Sequence, residues 1–332
     1  IIAGILLSVV VAFTVGAIVQ FLSRLLFSFD YQKTYKKFGA LWGGIALTAI
    51  MYFILIKGLK GSSFAGSESA IYQSALEHIW LIITAGFVLW TGILTVLQFW
   101  FKVNILKLII LIGTFALAMA FAGNDLVNFI GVPLAGLSSY KAWAASGAEP
   151  TEFMMTALSK KVPAGSLYLL AAGAIMVTTL WLSKKARRVT QTSIDLSRQG
   201  DGQERFESTA FSRMLVRSSL NLSRFLKKNL PAHFRNKMEA RFVVPAKKQN
   251  QSFDLIRAAV NLMVAGILIS IGTSLKLPLS TTYVTFMVAM GTSLADKAWG
   301  RESAVYRVSG VLVIISGWFV TALVAFTAAF IM

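Results

Sequence analysis

The chain contains no cysteine. Disulfides, thiolate metal sites and cysteine nucleophiles are therefore excluded, and thiol redox chemistry with them. Histidine is almost missing as well. The two present, His78 and His233, fall at the end of an apolar run and in a long polar stretch, where neither reads as a proton relay. Acidic residues are scarce, 14 Asp and Glu against 32 Lys and Arg, for a net charge of +18. The positives gather between apolar runs, so the excess reads as a positive-inside topology rather than a nucleic-acid surface. Charged residues make up only 14% of the chain and hydrophobic ones 56%, with a mean hydropathy of +0.69. That composition belongs to a membrane protein.

What is present is a series of apolar passes. About eight can be drawn: 1–27, 38–56, 79–100, 103–131, 164–183, 255–275, 277–294 and 308–332. Each is near the roughly 20 residues that a helix needs to cross a bilayer. The expected fold is all-α and polytopic, with two of the passes broken or re-entrant: the fourth, which carries a Gly-Asn-Asp stretch, and the seventh, which opens at Pro278. Three regions follow: spans over 1–183, a basic loop over 184–254 and further spans over 255–332. The loop holds 16 Lys and Arg against 6 Asp and Glu and is assigned to the cytoplasmic side of a plasma (inner) membrane. Within it Leu215, Leu222, Phe225, Leu226 and Leu230 fall near helical spacing among basic residues. An amphipathic helix on the inner leaflet and a solvated linker are equally compatible with that pattern. Trp42, Trp80, Trp100, Trp181 and Trp299 lie towards segment ends, as interface anchors do. The sequence opens without Met inside one pass and stops inside another, so it reads as a portion of a longer chain.

Two polar clusters interrupt the oil. The first is Asn124, Asp125 and Asn128 between Gly123 and Gly131, where Asp125 is the one acidic residue in the middle of an apolar segment. An ionised side chain at bilayer depth costs about 2.5–3.5 kcal/mol on insertion scales, and such groups normally face a cavity or a partner. In a helix the three polar residues share a face, and the flanking glycines allow a break or the close approach of a neighbour. An interhelical polar clamp is the blander account. The second cluster is Pro278-Leu279-Ser280-Thr281-Thr282-Tyr283. Proline disfavours helix just before itself and is tolerated in a first turn, so a helix is expected to restart near Leu279. Three hydroxyls then lie beside backbone N–H groups at the positive end of a helix, a ready site for an anion. Ordinary capping of that helix by its own hydroxyls is the alternative. Lys276, just upstream, is expected to reach the outer interface.

Taken together, Ala122-Gly123-Asn124-Asp125-Leu126-Val127-Asn128-Phe129-Ile130-Gly131 and Pro278-Leu279-Ser280-Thr281-Thr282-Tyr283 resemble the two signatures of the PiT-type inorganic phosphate transporters, in the same order. The resemblance covers the chain from about Leu106 onward. Gly and Ala are exchanged ahead of Asn124, Phe129 stands where the family has a small residue, and Tyr283 replaces a His. Family members are built from two inverted repeats, each with both motifs. This chain carries one of each, so the resemblance implies roughly one repeat plus flanking spans.

The resemblance implies a secondary transporter, a symporter of inorganic phosphate with Na⁺ or H⁺, and no enzymatic activity or resident cofactor. Asp125, helped by Asn124, would hold the coupling cation, Na⁺ being the only metal involved. Asn124, Asn128, Ser280, Thr281 and Thr282 would hold phosphate. No Lys or Arg falls in the middle of a pass, so the anion is expected to be held by neutral donors and a co-bound cation. The partners are phosphate, the cation and the bilayer, with no nucleic acid, and self-association is left open. Rival readings are a permease for another oxyanion such as sulfate, a channel, or a membrane-embedded enzyme or subunit that transports nothing. Metal-dependent chemistry needs more than one carboxylate or His within reach.

Overall fold

A chain in oil has no water to satisfy its backbone polar groups, so each apolar run must close its own hydrogen bonds as a helix. The computed structural model of the chain follows that rule. It describes residues 2–53, 77–154, 156, 165–187, isolated positions between 209 and 242, 254–277, 279–296 and 301–331. Among them there is no strand, and the long helices run α1 (Ile2–Phe27), α2 (Gln32–Ile50), α3 (Ile79–Phe99), α4 (Ile105–Ser146), α5 (Ser166–Leu182), α6 (Leu255–Ser274), α7 (Thr281–Ala295) and α8 (Arg301–Ile331). Four stretches, Leu7–Phe27, Ile79–Phe99, Ile105–Ser146 and Leu255–Ser274, are long and apolar enough to cross a membrane. The molecule is thus a helical protein suited to a bilayer.

The helix ends follow from local chemistry. Asn104 accepts from the Lys107 N–H at the start of α4, Asp254 from the Ile256 and Arg257 N–H groups at the start of α6, and Ser280 from Tyr283 N–H at the start of α7. Each side chain satisfies donors that have no acceptor within the first turn.

The core lies where α1, α2, α4, α6 and α7 meet, with Ile109, Ala259, Val260, Ala265, Val288 and Ala289 at its centre. The tightest crossing is α1 on α7. A methyl added at Gly16 would stand 2.9 Å from the Val288 carbonyl oxygen, and one at Gly291 would overlap the Phe13 carbonyl oxygen. Two backbones therefore touch with nothing between them, the packing that small residues permit in membranes. By contrast α3, α5 and the second half of α8 present apolar side chains outward, among them Leu89, Leu170, Phe326 and Phe330.

The fourth pass is not broken. α4 runs through Gly123 and Asn124 and on past Pro133 as one helix of 42 residues. Opening a helix in oil strands its N–H and C=O groups, a larger cost than the roughly 1 kcal/mol by which Gly disfavours helix. Nor does Gly123 admit a neighbour, since a methyl there would meet no atom within 4 Å. The seventh pass, however, does begin anew after Pro278. α6 ends at Ser274, Lys276 takes the left-handed backbone conformation (φ 54°), and α7 starts at Thr281. α7 has 15 residues, about 22 Å of helix, against a hydrocarbon core of about 30 Å.

Trp42 is also not an interface anchor. Its indole N–H donates to Ser23 Oγ (3.3 Å) and its ring meets Phe27 edge-on at 5.8 Å. Trp80, Trp100 and Trp181 do face outward, while Trp299 lies outside the described residues. Most of 184–254 lies outside them too, including Leu215, Leu222, Phe225, Leu226 and Leu230. Where the region is described, Phe242 stacks on Phe21 of α1 with ring centres 5.5 Å apart.

Candidate functional site

α7 carries a polar group at each end, and the two are held very differently. At its start the Thr281 hydroxyl donates to the Asp125 carboxylate, lying 3.1 Å from Oδ1 and 3.1 Å from Oδ2. The two residues are 156 positions apart in the chain. Thr281 is buried and Asp125 half-buried. α4 and α7 otherwise approach each other over only a short stretch, so this contact is the main polar tie between them. The first-turn N–H groups of Thr281 and Thr282 have no acceptor within their own helix, so α7 turns its positive end towards the carboxylate.

Asn124, one residue before Asp125, has its Nδ2 buried with no hydrogen-bond partner among the described residues. A buried amide without an acceptor loses about 1–3 kcal/mol of solvation. Its amide offers a donor for an anion's oxygen or, turned over, an oxygen for a cation. Ser280 does something else. Its Oγ accepts from Tyr283 N–H at 3.4 Å, the capping role that the sequence also allowed. Thr282 is half-buried beside Thr281. Asn128 follows Asn124 by one turn in α4, and its side chain lies outside those described. Tyr283, in place of the expected family's His, is buried in the core-facing side of α7. Lys276 is exposed, as a residue bound for an interface should be.

At the other end of α7 lies a charge cluster that the apolar pattern did not reveal. Asp296, the residue closing α7, receives Arg24 in a fork, Nε at 2.9 Å from Oδ1 and Nη2 at 2.6 Å from Oδ2. Arg24 Nη2 also reaches Asp254 Oδ1 at 3.0 Å, and Arg24 Nη1 donates to the Ser28 carbonyl at 3.0 Å. Gln20 Nε2 donates to Asp296 Oδ1 at 2.9 Å, and Arg257 Nη1 stands 3.8 Å from Asp296 Oδ2. Phe29 lies flat against the Arg24 guanidinium, 3.9 Å from centroid to Cζ, which adds a cation–π contact.

Arg24 and Asp296 are both fully buried. Two Arg and two Asp make the group neutral, and it joins the end of α1, the start of α6 and the end of α7. Burial pushes the Asp254 carboxyl up, but the Arg24 charge and the helix N–H of Arg257 together hold it below its ordinary range. This cluster does not bear on the expectation that no Lys or Arg falls in the middle of a pass. Arg24 and Arg257 are buried, but near helix ends and beside carboxylates, so the Asp125 end of α7 still has no positive side chain described against it. The signal for the cluster was Arg24 in the last turn of an apolar run with Gln20 one turn earlier. No family model, curated protein or solved structure matches the chain.

Proposed function

We propose that the chain is part of a carrier that moves inorganic phosphate across a membrane with Na⁺ or H⁺. The observation that carries this reading is the Thr281 hydroxyl placed on both oxygens of Asp125 at 3.1 Å, which joins the two sequence clusters at one helix start. In this reading Asp125 holds the cation, with Asn124 Oδ1 beside it. Phosphate takes the Thr281 and Thr282 N–H groups, the Thr282 hydroxyl and the unpartnered Asn124 amide. Asn128, one turn along α4, completes the polar face, and Ser280 acts chiefly by holding the helix start open.

The electrostatics explain why transport would be coupled. A phosphate arriving at the end of α7 meets the Asp125 carboxylate, and two negative groups a few ångströms apart in a poorly screened site repel by several kcal/mol. A cation at Asp125 removes that penalty and supplies part of the charge the anion needs. Either ion alone leaves charge uncompensated. The eight helices would each cross or enter the bilayer of the plasma (inner) membrane, with 184–254 on the cytoplasmic side. Alternating access would come from one repeat moving against the other.

The test is uptake of radiolabelled phosphate by the protein in liposomes, with Na⁺ and pH gradients imposed separately. Uptake should require one of the two gradients and vanish in Asp125→Asn. Excess unlabelled sulfate should leave it unchanged where the site supplies an acceptor for the O–H that phosphate monoanion keeps and sulfate lacks. Full competition by sulfate would make the chain a general oxyanion permease, and wild-type uptake by Asp125→Asn would remove the carboxylate from the mechanism.

A further inference from the structure

The start of α7 is held in place by the turn before it, and that turn rests on one glycine. Leu277 N–H donates to the Gly272 carbonyl at 2.9 Å and Lys276 N–H to the Thr273 carbonyl at 3.0 Å, so the link folds back over the last turn of α6. Lys276 makes the reversal in the left-handed region (φ 54°). The chain then passes over Gly272 itself. A methyl there would overlap Leu279 Cδ2 and stand 3.3 Å from Leu279 Cγ. Rotating the end of the Leu279 side chain frees Cδ2 but leaves Cγ too close. Leu279 is partly buried against the core, so a shift of a few tenths of an ångström at Cγ falls on the link that carries it. The next residue is Ser280, the cap of α7, and the one after it is Thr281, the partner of Asp125.

We propose that Gly272 is a positioning residue for the Asp125–Thr281 site. With no side chain of its own, it forms the seat into which Leu279 drops, and that seat sets how close the start of α7 comes to α4. The inference builds on the carrier reading for its functional consequence, while the seat itself is a matter of packing. Gly272 touches neither ion. Its effect passes through Leu279 and Ser280 to the Thr281 hydroxyl and N–H groups, where displacement by a fraction of an ångström to one ångström is enough to lose a hydrogen bond.

The test is a double-substitution cycle with two readouts. In liposomes Gly272→Ala should raise the phosphate KM about tenfold with little change in the uptake maximum. Leu279→Ala alone should raise it about twofold, and Gly272→Ala with Leu279→Ala should return it close to the Leu279→Ala value, because the methyl then occupies the space the leucine gave up. The second readout needs no substrate. The chain has no native cysteine, so a trifluoromethyl tag on Thr282→Cys gives a single ¹⁹F signal at the start of α7. That signal should move in the Gly272→Ala background and move back when Leu279→Ala is added. An unmoved signal, or strictly additive changes in both readouts, overturns the seat. A signal that moves and recovers while the wild type shows no coupled phosphate uptake keeps the seat and rejects the phosphate reading. A signal that moves and recovers while wild-type uptake is coupled and KM stays constant shows that the seat does not govern the site.

Discussion

The two ends of α7 differ in what they do with charge. At its close, Arg24, Asp254, Asp296 and the Gln20 amide nitrogen are buried and tied to one another, with Arg257 beside them and Gln20 Oε1 without a hydrogen-bond partner among the described residues. The fork between Arg24 and Asp296 and the neutrality of the group leave little charge for a ligand to answer. At its start one carboxylate has one hydroxyl, an amide nitrogen beside it has no partner among the described residues, and the carboxylate is half open. Both places put ionisable groups among apolar helices, so ionisable residues in oil do not by themselves mark function. What separates a structural cluster from a binding site is the balance left after the protein's own partners are counted.

The comparison breaks most readily at Arg24. Arg24→Met strands two carboxylates in the interior, and removing one partner of a buried pair costs about 3–5 kcal/mol. The variant should be largely lost from the membrane fraction, or melt many degrees lower in detergent. Asp125→Asn should melt within about 1 kcal/mol of wild type, since only the contact to Thr281 changes, yet lose coupled uptake. If the two exchange roles, Arg24→Met folding normally and Asp125→Asn unfolding, the contrast between the ends is wrong.

Acid sharpens it. The folded Asp254 carboxyl lies below its ordinary value, so the stability it contributes is present in full above about pH 4 and is lost as pH falls through the folded value. The melting temperature should therefore hold between pH 8 and 5 and decline below about 4. Asp254→Asn should remove much of that decline, and a decline that begins near pH 6 would show that another group carries it. The smallest effect is expected at Ser280. Its Oγ caps α7, so Ser280→Ala should cost about 1 kcal/mol of stability. Ser280→Asp, an equally good cap that adds negative charge, should keep that stability and weaken phosphate uptake.

Much of this fold is legible from hydropathy alone, because helices in oil satisfy their own backbones wherever an apolar run is long enough. The restart of α7 near Leu279 could be read from Pro278, while the placing of the Asp125 and Thr281 clusters in one site came from the family resemblance. Three features could not be read. Arg24 pairs with Asp254 and Asp296 across 230 and 272 positions, and no local pattern signals a partner at that separation. The continuity of α4 through Gly123 and Pro133 runs against intrinsic propensity, and nothing local in the sequence signals it. The role of Ser280 as a cap rather than a free donor depends on where α7 begins to the residue, a boundary that sequence patterns place only within a few positions.

The shortness of α7 has an electrical consequence. At about 22 Å it falls roughly 8 Å short of the hydrocarbon thickness. The exposed Lys276 ammonium just before it has to remain hydrated. Where water follows that turn inward, the voltage would drop across a thinner layer, and in the proposed carrier an ion at Asp125 would sense only part of the potential. Current carried by the working protein would then rise with voltage less steeply than its total charge stoichiometry suggests.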